Sequence, residues 1–172
     1  PELEGIFAIE QVLKLDEQTI EHLISFINQI EVTPEVFQGM LYHFASQESK
    51  AGGEFITPYS LVALLPALLN IKGGEVYDGT AGASFLLTGA AKYAQKYGQN
   101  IKLYGQEINP SIYALGKMNL IIQGIDHEYA LGNTLMNPAF IEWELKKFDY
   151  VLMNFPFSIK NWRSERAEYD LY

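Results

Sequence analysis

The sequence predicts an α/β fold, in which helices cover the faces of a parallel sheet. Four short segments, at residues 75–78, 101–106, 127–131 and 149–154, are predicted as strands, and the last contains the continuous apolar run that is typical of a buried parallel strand. Stretches with apolar residues at helical spacing separate these segments, and such alternation is typical of crossover units in a parallel sheet. The sequence therefore predicts about four strands, and a helical region precedes them.

Three helix-start signals mark that preceding region. Asp16-Glu17 places acidic residues at the positive end of a helix, and apolar residues follow at helical spacing. Thr33-Pro34 and Thr57-Pro58 each combine a capping residue with a proline at the first helical position. Each pair predicts that a helix begins there.

Helices are also predicted between the strands, at about residues 84–97, 109–122 and 138–146. The polar run at residues 46–53 is interpreted as a linker or mobile loop. The chain is thus expected to divide into a helical N-terminal segment, residues 1–50, and a second domain, residues 51–172.

Composition limits the classes of function. Apolar residues make up 48% of the 172 residues, which is enough for a sizeable core. No apolar run is long enough to span a bilayer, no signal-peptide pattern opens the chain, and there is no cysteine for disulfides or thiol chemistry. The three histidines show no metal-ligand spacing, so no metal is expected, and the pattern suits a cytoplasmic protein.

The net charge of −9 constrains any partnership with nucleic acid. A protein that grips a duplex alone is normally basic, because phosphate neutralisation supplies most non-specific affinity. If this chain acts on nucleic acid, another component must do much of the holding. The absence of an initiator methionine and the end shortly after residue 157 suggest a fragment of a longer polypeptide.

A candidate site follows the last predicted strand. Asn154 ends an apolar run and is followed by Phe155-Pro156 and Phe157, and the carboxyl ends of strands are where ligands bind in open α/β sheets. Proline restrains the residue before it, which aims the backbone carbonyls. An asparagine oxygen and a carbonyl can each accept a hydrogen from a planar NH2 group, on which Phe157 can stack. The alternative is a buried strand that ends in an ordinary turn.

Two other predicted strands also end in residues suited to a ligand. The first ends at Asp78 and a turn of small residues, Gly79 to Gly82, where backbone N–H groups can approach a ligand closely. The second ends at Glu107, and an acidic residue there is the usual partner of a ribose diol. Each signal is weak alone, because the turn lacks the dinucleotide pattern and a carboxylate at a strand end is often simply solvated.

Five motifs in order give a more specific result. From about residue 35 onward, the chain resembles N6-adenine DNA methyltransferases, and in particular the modification (M) subunit of type I restriction–modification systems. The resemblance implies a Rossmann-like S-adenosylmethionine-dependent methyltransferase fold, of which residues 51–172 are a part. The motifs that carry it are Gly53-Glu-Phe-Ile-Thr-Pro58, Asp78-Gly-Thr-Ala-Gly82, Gly105-Gln-Glu107, Gly132-Asn-Thr134 and Asn154-Phe-Pro-Phe157.

The resemblance also implies roles for matching residues. Asn154, the carbonyl of Phe155, Pro156 and Phe157 would hold a flipped adenine, because N6 cannot reach a methyl donor inside the base stack. Glu107 would bind the ribose hydroxyls of S-adenosylmethionine, with Ile108 on the adenine and Asn133 at its edge. The residues expected at the methionine end are Glu54, Phe55, Ile56, Thr57 and Pro58, above a wall formed by Asp78, Gly79, Thr80, Gly82, Ala83 and Ser84.

Four departures from the family pattern bear on these roles. Gly79 replaces a proline, Ala83-Ser84 replaces a Ser/Thr-Gly pair, Asn133 replaces an aspartate, and Phe155 replaces a proline. The last change keeps the carbonyl, and Pro156 still restrains it. Together the changes bear on cofactor affinity more than on fold.

Partners follow from the resemblance as well. The expected partners are DNA, a specificity (S) subunit, a second M subunit and in some systems a restriction (R) subunit. Local phosphate contacts could come from Lys146, Lys147, Lys160, Arg163 and Arg166. The alternative interpretation is that these basic residues simply form a solvated face. The fourth strand would keep an unpaired edge, so the chain alone is expected to be a poor catalyst that self-associates.

Two other functions remain open. A protein glutamine side chain also carries a planar NH2 group, although the Phe-x-Thr-Pro element and the helical N-terminus argue against it. A degenerate methyltransferase fold could instead serve as a scaffold for partner subunits. Cofactor binding and the identity of the methylated product distinguish the three.

Overall fold

The computed structural model describes residues 16–52, 56–141 and 143–156. Four strands and five helices lie in these ranges. In chain order they are α1 (Glu17–Ile27), α2 (Pro34–Gly52), α3 (Tyr59–Leu69), β1 (Glu75–Asp78), α4 (Phe85–Gln95), β2 (Lys102–Glu107), α5 (Pro110–Ile122), β3 (His127–Leu131) and β4 (Tyr150–Val151).

The four strands form one parallel sheet in the order β3-β2-β1-β4. Val76 of β1 lies opposite Leu103 of β2 on one side and Tyr150 of β4 on the other. The predicted parallel α/β fold is therefore confirmed. Because the chain leaves β1 toward β2 on one side and returns to β4 on the other, a crevice opens at the carboxyl ends of β1 and β4, the position where such sheets bind ligands.

The core lies between the sheet and helices α4 and α5. Val76, Leu87, Leu103 and Leu120 are fully buried there, with Ile71 at the entrance to β1. Each such side chain contributes roughly 1.5–3 kcal/mol relative to an exposed position. This packing fixes the strand ends that carry the site.

The predicted helix starts are present, with one difference. Asp16 and Asn109 accept hydrogen bonds from backbone N–H groups of the first turns of α1 and α5, and Thr33 accepts one from Val36 N at 3.3 Å. At α3, however, Pro58 occupies the capping position and no side chain caps the helix. No helix in the described ranges is long and apolar enough to cross a membrane.

The loop predicted at residues 46–53 is wrong for the residues that can be described. Helix α2 continues to Gly52. The run contains serine, glutamine, glutamate and lysine but no proline, and a polar segment of this composition is compatible with a helix. Polarity alone therefore does not indicate a loop. The division at residue 50 stays a prediction.

The helix predicted at residues 138–146 is also wrong, because its backbone groups have other partners. Gln106, fully buried in β2, donates from Nε2 to Asn137 O at 3.0 Å and accepts from Ala139 N at Oε1, also at 3.0 Å. Ile141 and Leu145 then form an isolated antiparallel bridge. Lys146 N also donates to Phe140 O at 3.0 Å, so the described part of the segment folds back in a turn and does not form a helix.

Aromatic packing holds this segment, and Phe148 just after it, against the sheet. The ring of Phe148 stacks on Tyr77 with centroids 4.6 Å apart, and Phe140 meets the edge of Tyr104 at 5.2 Å. These contacts replace the crossover helix that the sequence pattern suggested.

Strand β4 is shorter than the predicted segment 149–154, since it comprises Tyr150 and Val151 only. Its partner β1 ends at Asp78, so the chain beyond Leu152 has no strand to pair with. Leu152 N donates to Tyr77 O at 2.9 Å, which is the last backbone hydrogen bond from the described part of this segment to β1. Asn154 therefore lies beyond the sheet, in the crevice.

Candidate active site

The site lies at the carboxyl edge of the sheet, where β1 and β4 end side by side. A Cβ atom built on Gly79 would lie 3.0 Å from Cε of Met153, which shows how closely the two strand ends approach. Asn154 follows Met153 and is half-buried. The structure thus brings the residues after β4 next to the turn after β1, because these two strands are neighbours in the sheet.

Thr57, before α3, also reaches this edge. The Asn154 Nδ2 donates to Thr57 Oγ1 at 3.0 Å, although the residues are 97 positions apart. Thr57 is therefore engaged in a tertiary contact instead of capping α3. The hydrogen bond joins the Phe-x-Thr-Pro element to the Asn-Phe-Pro-Phe element across the crevice.

The turn after β1 is held by residues of β2. Ala81 N donates to Gln106 O at 3.0 Å, and Gly82 N donates to Glu107 Oε2 at 3.0 Å. The other carboxylate oxygen of Glu107 accepts from Asn109 N at 2.7 Å. Glu107 is only 8% exposed, and it links the glycine turn to the start of α5.

Asp78 lies beneath this turn and is 1% exposed. Its Oδ1 accepts from Thr80 N at 2.9 Å and from Thr80 Oγ1 at 3.3 Å. The pKa of Asp78 is raised to about 7, chiefly because burial desolvates the carboxylate and to a smaller extent because of the charge of Glu107, and the hydrogen bonds from Thr80 offset only part of this rise. The carboxyl group therefore titrates near neutral pH.

The replacement of proline by Gly79 has a steric explanation. A Cβ atom at this position would lie 2.9 Å from the Tyr77 hydroxyl and 2.9 Å from Cγ2 of Thr134. The hydroxyl of Thr134 also donates to Gly79 O. These neighbours occupy the space that a proline ring would need.

Asn133 is oriented by its own turn. Its Oδ1 accepts from Leu135 N at 3.0 Å and from Met136 N at 3.1 Å. Oδ1 is therefore committed to the backbone, and Nδ2 is the atom of this side chain that could meet a ligand edge. Gln106, which the sequence analysis did not assign a role, anchors the following residues and so places Asn133.

Ser84 occupies a backbone conformation that favours glycine. Its φ of 63° and ψ of 25° are left-handed, which costs a residue with a side chain roughly 1–2 kcal/mol. Its hydroxyl is fully buried and has no hydrogen-bond partner among the described residues. A glycine would adopt this conformation without that cost, so this chain tolerates strain at Ser84.

The Ser84→Gly variant is therefore expected to be more stable, by about 1 kcal/mol, after allowance for the larger entropy that glycine gains in the unfolded chain. The free energy of unfolding from urea denaturation measures the change. Ser60→Gly, at an exposed position of α3, is the matched control and should lower stability, since glycine weakens a helix. Equal losses in both variants would contradict the strain at Ser84.

The other predicted site residues differ in how exposed they are, and some lie outside the described residues. Ile108 is 59% exposed beside Glu107, as an adenine platform would be, and Phe155 is exposed as well. Ile56 packs on the core cluster that includes Val62 and Phe85, whereas Pro58 and Pro156 are exposed and Ala83 is buried. Glu54, Phe55 and Phe157 lie outside the described residues.

Lys146 lies away from the site, contrary to the predicted phosphate cluster. Its Nζ contacts Glu75 Oε1 at 3.0 Å and Tyr104 OH at 2.7 Å, and Glu75 is the first residue of β1. Lys146 is therefore at the amino edge of the sheet. Lys160, Arg163 and Arg166 lie outside the described residues.

The fold and the site together define a class of protein. A parallel sheet in this order, with a glycine turn after β1 and an acidic residue at the end of β2, is the Rossmann-like fold of S-adenosylmethionine-dependent methyltransferases. A Listeria monocytogenes protein described as a class I S-adenosylmethionine-dependent methyltransferase matches the fold with a TM-score of 0.67, 17% identity, and coverage of 99% of this chain and 54% of that one.

The sequence comparison is more specific. The N-6 DNA Methylase family model matches residues 28–172, and the chain belongs to this family. It is 30% identical over 168 residues to the type I restriction enzyme MjaIX methylase subunit of Methanocaldococcus jannaschii, covering 91% of this chain and 30% of that protein. It is 31% identical over 140 residues to the HindI methylase subunit of Haemophilus influenzae, covering 78% of this chain and 31% of that protein.

A solved structure agrees with these relatives. The methyltransferase subunit of a type I restriction–modification system from Streptococcus thermophilus has a TM-score of 0.60 and 31% identity, over 69% of this chain and 26% of that one. The chain spans about 30% of the length of the curated relatives it matches. The resemblance deduced from the motifs is thereby confirmed.

Proposed function

We propose that this chain carries the methyl-transfer site of a type I modification subunit, which methylates N6 of an adenine flipped out of DNA. The observation that supports it most is the placement of Asn154 and Glu107 on the same sheet edge, on either side of the glycine turn. One end of this edge suits a ribose, and the other suits a planar amino group. The proposed site thus has separate places for a nucleoside cofactor and for a target base.

The residues present fit S-adenosylmethionine. The Glu107 carboxylate accepts from Gly82 N and Asn109 N, which fixes it at the end of β2, and a carboxylate is the kind of acceptor that a ribose diol requires. Ile108 presents an exposed apolar side chain beside it. At Gly82, with a φ of 56°, a Cβ would meet only Thr80 O, at 3.9 Å, so the turn is open to close approach.

Asn154 is proposed to receive the target amino group. When bound, S-adenosylmethionine supplies a methyl group activated by its sulfonium. The Asn154 Oδ1 and the carbonyl of Phe155 accept the two N6 hydrogens, which turns the nitrogen lone pair toward the methyl carbon. As the bond from N6 to the methyl carbon forms and the methyl–sulfur bond breaks, N6 would become positively charged. These oxygens would stabilise the charge, and one N6 proton would then pass to solvent water. The chain's contribution is mainly alignment.

DNA binding is proposed to depend on partner subunits. The chain has a net charge of −9, whereas a protein that holds a duplex alone is normally basic. A specificity subunit would supply target recognition and much of the grip, with a second modification subunit and in some complexes a restriction subunit. We place this assembly in the cytoplasm.

Calorimetric titration with S-adenosylmethionine tests the cofactor site. Glu107→Gln is expected to weaken binding roughly tenfold or more, because it removes the charge that a diol hydrogen-bonds. Glu128→Gln is the matched control. Glu128 is on the neighbouring strand and pairs with Lys102 at 2.7 Å on the surface, so the affinity of this variant for S-adenosylmethionine should equal that of the natural chain. Equal affinities in all three proteins would contradict the assignment of Glu107.

The methylated product tests the substrate. The complete subunit, assembled with its specificity subunit, is expected to form N6-methyladenine in DNA. Methylation of a protein glutamine instead would favour the second substrate class. Saturable cofactor binding without any methylated product would favour the scaffold.

A further inference from the structure

We propose that Thr57 is a positioning residue for Asn154, which fixes the orientation of the Asn154 carboxamide so that its oxygen faces the target amino group. The inference rests on the proposed function of this site. It assigns Thr57 a role in aligning the methyl acceptor, in addition to its expected place along the cofactor. The contact that carries it is the 3.0 Å hydrogen bond from Asn154 Nδ2 to Thr57 Oγ1.

The chemistry of the carboxamide makes its orientation decisive. The oxygen end accepts hydrogen bonds and the nitrogen end only donates them. An amino group that presents its hydrogens to the nitrogen end would find no acceptor. Because Nδ2 is held by Thr57, Oδ1 is directed away from Thr57 and is available to an incoming N–H donor. A hydroxyl can also donate, and in this structure the Thr57 hydroxyl accepts from Nδ2, so the contact holds the carboxamide in the productive one of its two orientations.

The support behind Thr57 is rigid. Pro58 restrains the backbone of the residue before it, and the carbonyl of Pro58 accepts from Leu61 N at 2.9 Å and Val62 N at 3.0 Å as α3 begins. Helix α3 packs closely on α4 at Val62 of α3 and Gly89 of α4. A Cβ atom built on Gly89 would lie only 2.6 Å from Val62 Cγ1 and 2.6 Å from the Val62 carbonyl oxygen. The hydroxyl of Thr57 is therefore carried by a fixed element.

The support behind Asn154 is independent of Thr57. Leu152 N donates to Tyr77 O at 2.9 Å, which fixes the chain two residues before Asn154, and Pro156 restrains Phe155, the residue after Asn154. The backbone at Asn154 is thus placed by the sheet and by proline. The rotation of the carboxamide is the remaining freedom, and the Thr57 contact restricts it.

Thr57→Val tests the proposal, since valine keeps the branched shape and removes the hydroxyl. In the complete subunit with its specificity subunit, kcat at saturating S-adenosylmethionine is expected to fall about tenfold, as expected for the loss of one aligning hydrogen bond. Thr57→Ser keeps the hydroxyl and should restore most of the rate. If Thr57 only lined the cofactor, Thr57→Val would raise the KM for S-adenosylmethionine and leave kcat unchanged, which would overturn the proposal.

A second measurement needs no turnover. In nitrogen-15 spectra, the side-chain NH2 of Asn154, assigned by its disappearance in Asn154→Ala, should exchange slowly with water in the natural chain and in Thr57→Ser. In Thr57→Val its exchange should become fast. Exchange that is equally fast in all three proteins would mean that Nδ2 does not donate to Thr57, and the proposal would fail.

The two measurements separate the inference from the proposed function. If the natural protein shows the protected Asn154 amide but forms no methylated DNA, the proposed function fails while the contact stands. If it methylates DNA and Thr57→Val matches its kcat, the positioning role fails and the function stands. A variant with a lower unfolding midpoint is compared at a temperature where both proteins are folded, so that loss of structure does not imitate loss of alignment.

Discussion

Asn154→Ala is expected to reduce kcat for adenine methylation roughly 10²- to 10³-fold, the loss seen when one preorganised group that stabilises developing charge is removed. The affinity for S-adenosylmethionine should change little, because Glu107 ends β2, which is separated from β4 and Asn154 by β1 and the glycine turn. Single-turnover methylation at saturating cofactor, together with calorimetric titration, measures the two quantities separately.

Asn100→Ala is the matched control for this loss. Asn100 lies on the surface between α4 and β2, so the same side-chain truncation there should preserve both rate and affinity. An Asn154→Ala variant with the natural rate would show that the carboxamide does not hold the methyl acceptor. A variant that lost cofactor affinity to the same extent as rate would instead place Asn154 in the cofactor site.

The strand ends were predictable from sequence because they depend on local patterns. The predicted segments 75–78 and 127–131 coincide with β1 and β3, since glycines on both sides of each segment leave room only for a short element. The strand order of a parallel sheet then places the residues after these strands at one edge. Asp78, Glu107 and Asn154 reach that edge for this reason.

The contacts between distant segments were not predictable in the same way. The bond from Asn154 to Thr57 spans 97 positions, and Thr57-Pro58 has the sequence of an ordinary helix cap. The helix predicted at residues 138–146 failed because Gln106, on another strand, binds the backbone of that segment. In both cases a side chain from a distant segment determines the outcome, and local propensity does not describe it.

Buried Asp78 is expected to make the stability of the chain fall as pH rises from about 4 to about 7. Its pKa is about 7 in the folded chain against a usual value of 3.8, so between these values the folded state keeps a proton that the unfolded state has released. Stability is then highest below the unfolded pKa and is lost as pH approaches the folded pKa. A difference of about three pH units, at about 1.4 kcal/mol each, corresponds to a loss on the order of 4 kcal/mol.

Asp78→Asn is expected to remove most of this slope. The asparagine oxygen can still accept from Thr80 N, as Asp78 Oδ1 does at 2.9 Å, but it carries no charge to desolvate. The free energy of unfolding, measured by urea denaturation at pH 4.5, 6 and 8, should therefore be higher in Asp78→Asn than in the natural chain at pH 8 and similar at pH 4.5. Asp126→Asn, the same change at an exposed position, should leave the slope as it is. Parallel slopes for the natural chain and Asp78→Asn would show that Asp78 is already ionised across this range, and that its hydrogen bonds to Thr80 outweigh its burial.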